Sequence, residues 1–111
     1  MEEKQMDAVT ALSGSGPAYF FYFAEAMIKA GVALGLPEEA AKTLALRTAY
    51  GAGKMLVEVP ESPEELRRRV TSPGGTTEAA IRSMVRTGVA ESIAKAIEAA
   101  AQRSKELGEK S

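Results

Sequence analysis

The sequence predicts an all-helical fold, on three observations. Glycine and proline stand at the ends of long stretches of good helix formers, several of those ends carry capping residues, and no run alternates apolar and polar residues as a half-buried strand does. The punctuation then divides the chain element by element.

A first helix is expected from about Glu2 to Leu12, leading into Ser13-Gly14-Ser15-Gly16-Pro17, where Ser15 suits an N-cap and Pro17 the first turn of the next helix. That helix runs to about Leu34 and ends at Gly35 as the residue past its C-cap. Pro37, Glu38 and Glu39 open a third helix with an acidic first turn, stopped near Val59 by Pro60. Ser62-Pro63-Glu64-Glu65 fits a capping box, with Ser62 as N-cap and Glu65 reaching back, and starts a short helix to about Val70. Its Arg67-Arg68-Arg69 run reads as a last turn complementing the helix dipole. Thr71 to Thr77 holds Pro73, Gly74 and Gly75 and cannot be helical through its middle, so a threonine is expected to cap the following helix, which reaches Thr87. Gly88 breaks the pattern, and Val89 to about Leu107 forms the last helix.

The second helix carries the strongest structural message. Tyr19, Phe20, Phe21, Tyr22 and Phe23 are consecutive, and at 100° per residue they point all around the axis. Ala24, Met27, Ile28, Val32, Ala33 and Leu34 continue the apolar surface, and only Glu25 and Lys29 break it. A helix apolar on all sides must be buried on all sides. A chain of 111 residues has few other helices to surround it, which predicts that a second copy covers part of it. A membrane span is opposed by Glu25 and Lys29 near mid-window, where each charge costs roughly 2.5–3.5 kcal/mol. Gly51 and Gly53, each costing about 1 kcal/mol in a helix interior, suggest a close helix crossing in the third helix, packed by Tyr50 and Met55.

Composition removes whole classes of chemistry. The chain has no His, no Cys and no Trp, and Asp7 is its only aspartate. Zinc and iron–sulfur sites of the usual kinds, Ser-His-Asp and Cys-His nucleophiles and histidine acid–base catalysis are therefore excluded, and no metal is expected. A net charge of −1 gives no footprint for nucleic acid. The polar stretch Met1 to Thr10 does not resemble a signal peptide, so a cytoplasmic location is the default.

Two glycine-rich segments fail as nucleotide-binding motifs. Ser13 to Tyr19 has Tyr19 where a dinucleotide fingerprint needs its third glycine, and no strand precedes it. Thr48 to Met55 ends in Gly-Lys but lacks the first glycine and the closing hydroxyl residue of a P-loop. Ser72-Pro73-Gly74-Gly75-Thr76-Thr77 differs, because adjacent glycines just before a helix can turn free N–H groups toward one point and make a small-anion site. Spacing alone favours an ordinary interhelix turn with a threonine as N-cap.

Asp7-Ala8-Val9-Thr10-Ala11-Leu12-Ser13-Gly14-Ser15-Gly16-Pro17-Ala18-Tyr19, together with Val70-Thr71-Ser72-Pro73-Gly74-Gly75-Thr76-Thr77, resembles the C-terminal domain of the pyrroline-5-carboxylate reductases. Gly31 to Pro37 and Gly51 to Met55 are similar to the family as well, so the resemblance covers nearly the whole chain. It implies an all-α bundle, like the C-terminal part of 6-phosphogluconate dehydrogenase, that interleaves with a second copy to form a homodimer, in some members within a ring of dimers. It implies a single domain over residues 1–111, with a cofactor-binding Rossmann domain lying outside this chain.

The implied chemistry is reduction of 1-pyrroline-5-carboxylate to L-proline by NADPH or NADH, the last step of proline biosynthesis. On that resemblance, backbone amides of Gly75, Thr76 and Thr77 hold the substrate carboxylate, the Thr77 hydroxyl meets the ring nitrogen, Gly74 shapes the loop, and Val70 and Ser72 line the pocket. Ser15, Gly16 and Pro17 lie near the nicotinamide. Family members often carry a smaller residue at position 76, so Thr76 is a departure that alters pocket size. This chain alone is expected to be inactive. The competing expectation is a stand-alone helical homodimerisation scaffold without a ligand.

Overall fold

The computed structural model describes residues 2–110, which form six α-helices and one π-helical turn with no strand among them. Two compact units emerge where the sequence reads as one domain: residues 1–19 with 79–111, and residues 20–78.

In the first unit, α1 (Glu3–Val9) runs without a break into the π-turn Thr10–Gly14, and both pack on α6 (Val89–Lys110). The π-turn is closed by the Ser15 N–H donating to the Thr10 carbonyl at 2.9 Å, an i to i+5 bond. This corrects the expected N-cap at Ser15. Its backbone is helical (φ −85°, ψ −13°), not extended as a cap requires, because the extra residue of Thr10–Gly14 is absorbed by widening the helix. Ala11 is fully buried, and the Ser104 hydroxyl donates to Asp7 Oδ1 at 2.8 Å, joining residues 97 apart in sequence.

In the second unit, α2 (Gly16–Ala33) ends as expected. Gly35 has φ +106°, its N–H donates to Val32 and that of Leu36 to Gly31, the paired bonds of a Schellman cap. α3 (Glu38–Glu58) follows and touches α2 where a Cβ on Gly31 would lie 3.2 Å from the Ala41 Cβ. The close approach thus sits at Gly31, Ala41 and Ala45. Gly51 and Gly53 do not mark a crossing within the chain, since a Cβ at either meets nothing within 4 Å.

α4 (Pro63–Arg69) has the predicted cap, with Ser62 Oγ accepting the Glu65 N–H at 3.0 Å. The second half of the expected capping box is replaced. The Glu65 carboxylate turns to Arg68 at 2.6 Å, while Arg68 also pairs with Glu64 and Arg69 with Glu61, both at 2.8 Å. These pairs are exposed and worth at most about 1 kcal/mol each. α5 (Thr76–Arg86) begins at Thr76, so neither Thr76 nor Thr77 is its cap; Gly75 takes that position.

The chain encloses little. Among the described residues the buried apolar ones are Ala11, Ala41, Ala45 and Leu66, and no large side chain is fully buried. On α2, Phe20, Phe21 and Tyr22 are 72%, 68% and 76% exposed, and Leu34, Tyr50 and Val57 are also open. Each such aromatic is worth about 1.5–3 kcal/mol when covered, and soluble proteins do not leave contiguous surface of this kind bare. No described helix is long and apolar enough to cross a membrane.

Candidate functional site

The glycine-rich loop belongs to the second unit and is built from the end of α4 onward. Val70 follows α4 and is exposed, and the Thr71 hydroxyl donates to the Arg67 carbonyl at 2.6 Å, closing the helix end. Ser72 and Pro73 enter a turn in which the Gly75 N–H donates to the Ser72 carbonyl at 3.0 Å. Gly74 has φ +74°, which L side chains rarely adopt, and a Cβ on Gly75 would come 3.1 Å from the Ser72 carbonyl oxygen. Gly74 is therefore required by the turn itself, and Gly75 sits where a side chain would crowd the Ser72 carbonyl.

The amides of the loop divide into two groups. That of Gly75 is spent inside the turn, and that of Gly74 donates to Glu78 Oε1 at 3.1 Å. Those of Thr76 and Thr77 occupy the first two positions of α5, where an α-helix supplies no intrahelical acceptor. Thr77 and Gly75 are half-buried, whereas Ser72, Gly74 and Thr76 are exposed. An anion here would meet two adjacent amides and the positive end of an 11-residue helix. The Gly75 amide, expected from the family resemblance to share that task, points its bond back to Ser72.

Ser15, Gly16 and Pro17 lie in the first unit, at the junction of the π-turn and α2. Gly16 is buried, Ser15 half-buried and Pro17 exposed. The Ser15 carbonyl accepts the Ala18 N–H at 3.1 Å. Pro17 brings no N–H, so this segment offers an apolar edge and a hydroxyl and lacks the clustered amides of a phosphate cradle.

Two residues of these segments were not singled out as site residues from the sequence. Glu78 is the third residue of α5, the position from which a glutamate reaches back in a capping box, and that spacing was the signal available. Tyr19 is one of five consecutive aromatics that the sequence places around α2. Its hydroxyl instead donates to the Ala11 carbonyl at 2.6 Å, and nothing in the local sequence announces that bond.

Helices with an open apolar surface, and a glycine turn delivered to a helix N-terminus, define the class as an all-α association domain. The chain belongs to the family described as pyrroline-5-carboxylate reductase dimerisation, whose pattern matches residues 3–107. It is 56% identical over 108 residues to the pyrroline-5-carboxylate reductase of Pseudomonas aeruginosa, covering 97% of this chain and 40% of that protein. Identity to pyrroline-5-carboxylate reductase 2 of Bacillus subtilis is 49% over 109 residues, 98% of this chain and 39% of the relative. Among solved structures, the Coxiella burnetii pyrroline-5-carboxylate reductase superposes with a TM-score of 0.92 at 46% identity, over 96% of this chain and 40% of the other. The Plasmodium falciparum pyrroline carboxylate reductase, solved with NADP bound, gives 0.91 at 38% identity, over 97% and 41%. The chain thus spans about two fifths of the length of these relatives. Because they are reductases, the scaffold-only expectation is not favoured.

Proposed function

We propose that this chain is the dimerisation and substrate-binding part of a pyrroline-5-carboxylate reductase, both units acting as one domain of a homodimer. The enzyme reduces the C=N bond of 1-pyrroline-5-carboxylate to give L-proline. What carries the reading is the 56% identity to a reductase across 97% of the chain, joined to an apolar surface that one copy leaves open.

NADPH or NADH supplies the hydride when bound, and its binding falls mainly to the part of the relatives outside this chain. Ser15, Gly16 and Pro17 face its nicotinamide end in this proposal, which suits a segment poor in free amides. The Thr76 and Thr77 amides hold the substrate carboxylate, with Val70, Ser72, Gly74 and Gly75 forming the loop around it. The Thr77 hydroxyl donates to the ring nitrogen. Hydride addition to the imine carbon leaves the former π pair on nitrogen, which takes up a proton from solvent, and a fixed donor there stabilises that developing charge. Holding carboxylate and nitrogen together also orients the imine carbon, and orientation supplies several kcal/mol of the barrier. None of these tasks calls for an imidazole, a thiolate or a metal ion.

The test is reductase assay of this chain joined to its cofactor-binding part. Pyrroline-5-carboxylate-dependent oxidation of NADPH or NADH is expected, with none from the chain alone. An assembled protein that binds the nucleotide but leaves the imine unreduced would overturn the proposal.

A further inference from the structure

We propose that Glu78 is a positioning residue for substrate binding: its carboxylate pins the Gly74 amide, and so presents the next two free amides to the substrate carboxylate. The inference rests on the reductase reading above.

The geometry is a capping box displaced by one residue. In the ordinary box a glutamate at the third helical position accepts the N–H of the N-cap residue. Here that residue is Gly75, and its N–H is already given to the Ser72 carbonyl at 3.0 Å. Glu78 reaches one residue further back, to the Gly74 N–H at 3.1 Å. Gly74 is the residue with φ +74°, so the bond holds the loop at its sharpest point. The turn is tight beside it, since a Cβ at Gly75 would lie 3.1 Å from the Ser72 oxygen. With both glycine amides tied down, Thr76 and Thr77 present the next two N–H groups in a fixed direction.

The arrangement carries a cost that makes it testable. A carboxylate beside a site for a carboxylate repels the substrate, so a residue serving only that site would not be acidic. The bond to Gly74 gives this side chain a task separate from the substrate's charge, and a neutral acceptor of the same shape separates the two effects. In the assembled reductase, Glu78→Gln keeps an oxygen for Gly74 and removes the charge. Its KM for pyrroline-5-carboxylate is expected to equal or fall below the wild-type value. Glu78→Ala removes the acceptor and should raise that KM about tenfold, the loss of one hydrogen bond to a charged group. The KM for NADPH should be unchanged in both. Amide exchange at Gly74 should quicken in Glu78→Ala and stay slow in Glu78→Gln.

A Glu78→Ala enzyme with wild-type KM for the imine, or with Gly74 exchange as slow as in the wild type, would overturn the inference alone. A wild-type enzyme without reductase activity would overturn the functional reading and the inference with it.

Discussion

The phenol of Tyr19 donates a 2.6 Å hydrogen bond to the carbonyl of Ala11, eight residues earlier and fully buried in the first unit. The bond spans the π-turn and ties the first turn of α2 to it. Widening a helix by one residue misaligns its carbonyls, and a side chain one turn beyond supplies a donor. The aromatic cluster of α2 therefore begins with a residue that shapes the chain's own backbone, while Phe20, Phe21 and Tyr22 face outward.

Tyr19→Phe keeps the ring and removes the donor. Stability should fall by about 1 kcal/mol, up to about 3 if the carbonyl finds no other partner. Urea unfolding measures it, and an unchanged midpoint would show that the π-turn holds without the latch.

Ser62→Ala deletes the oxygen that accepts the Glu65 N–H at 3.0 Å. A loss of about 1 kcal/mol is expected, as for other N-caps. Removing the exposed partner Glu64 should matter less, because Arg68 retains Glu65. Comparing the two variants by thermal unfolding checks the order.

Phe21→Glu places a charge on surface that another copy is proposed to cover, and Gly53→Leu adds bulk where α3 is open. Both should weaken self-association by at least about a hundredfold in Kd, since a covered aromatic is worth about 1.5–3 kcal/mol per copy. Sedimentation at graded concentration reads this directly. Two variants with the wild-type association constant would contradict the packing argument.

Thr77→Ala in the assembled reductase should lower kcat by about tenfold or more while leaving the KM for NADPH unchanged, because its hydroxyl is proposed to donate to the reacting nitrogen. An equal loss of NADPH affinity would place Thr77 at the cofactor instead.

The helices were legible because their ends are chemical. Gly35, Pro60, Ser62 and Gly88 each stop or start an element through backbone freedom, a missing N–H or a capping oxygen, and each does so in the structure. The π-turn was not legible, since Ser13-Gly14-Ser15-Gly16 reads as a break, and the bond that closes the turn joins two backbone groups, the Ser15 N–H and the Thr10 carbonyl, that no side-chain pattern marks. The role assigned to Gly51 and Gly53 failed within the chain for a related reason: a glycine marks room for a neighbour without saying which one, and Gly31 is where α2 meets α3. At the candidate site, spacing located the loop at Ser72–Thr77. The division of its amides depended on Glu78, which lies outside the glycine run and acts backward along the chain.

One copy of this chain leaves unfinished a core that a second copy is proposed to complete. The most direct measurement is the molar mass of the chain in solution by light scattering at micromolar concentration. A dimer of twice 11.7 kDa whose unfolding temperature rises with concentration is predicted. A stable monomer of 11.7 kDa, unfolding cooperatively and independently of concentration, would contradict it.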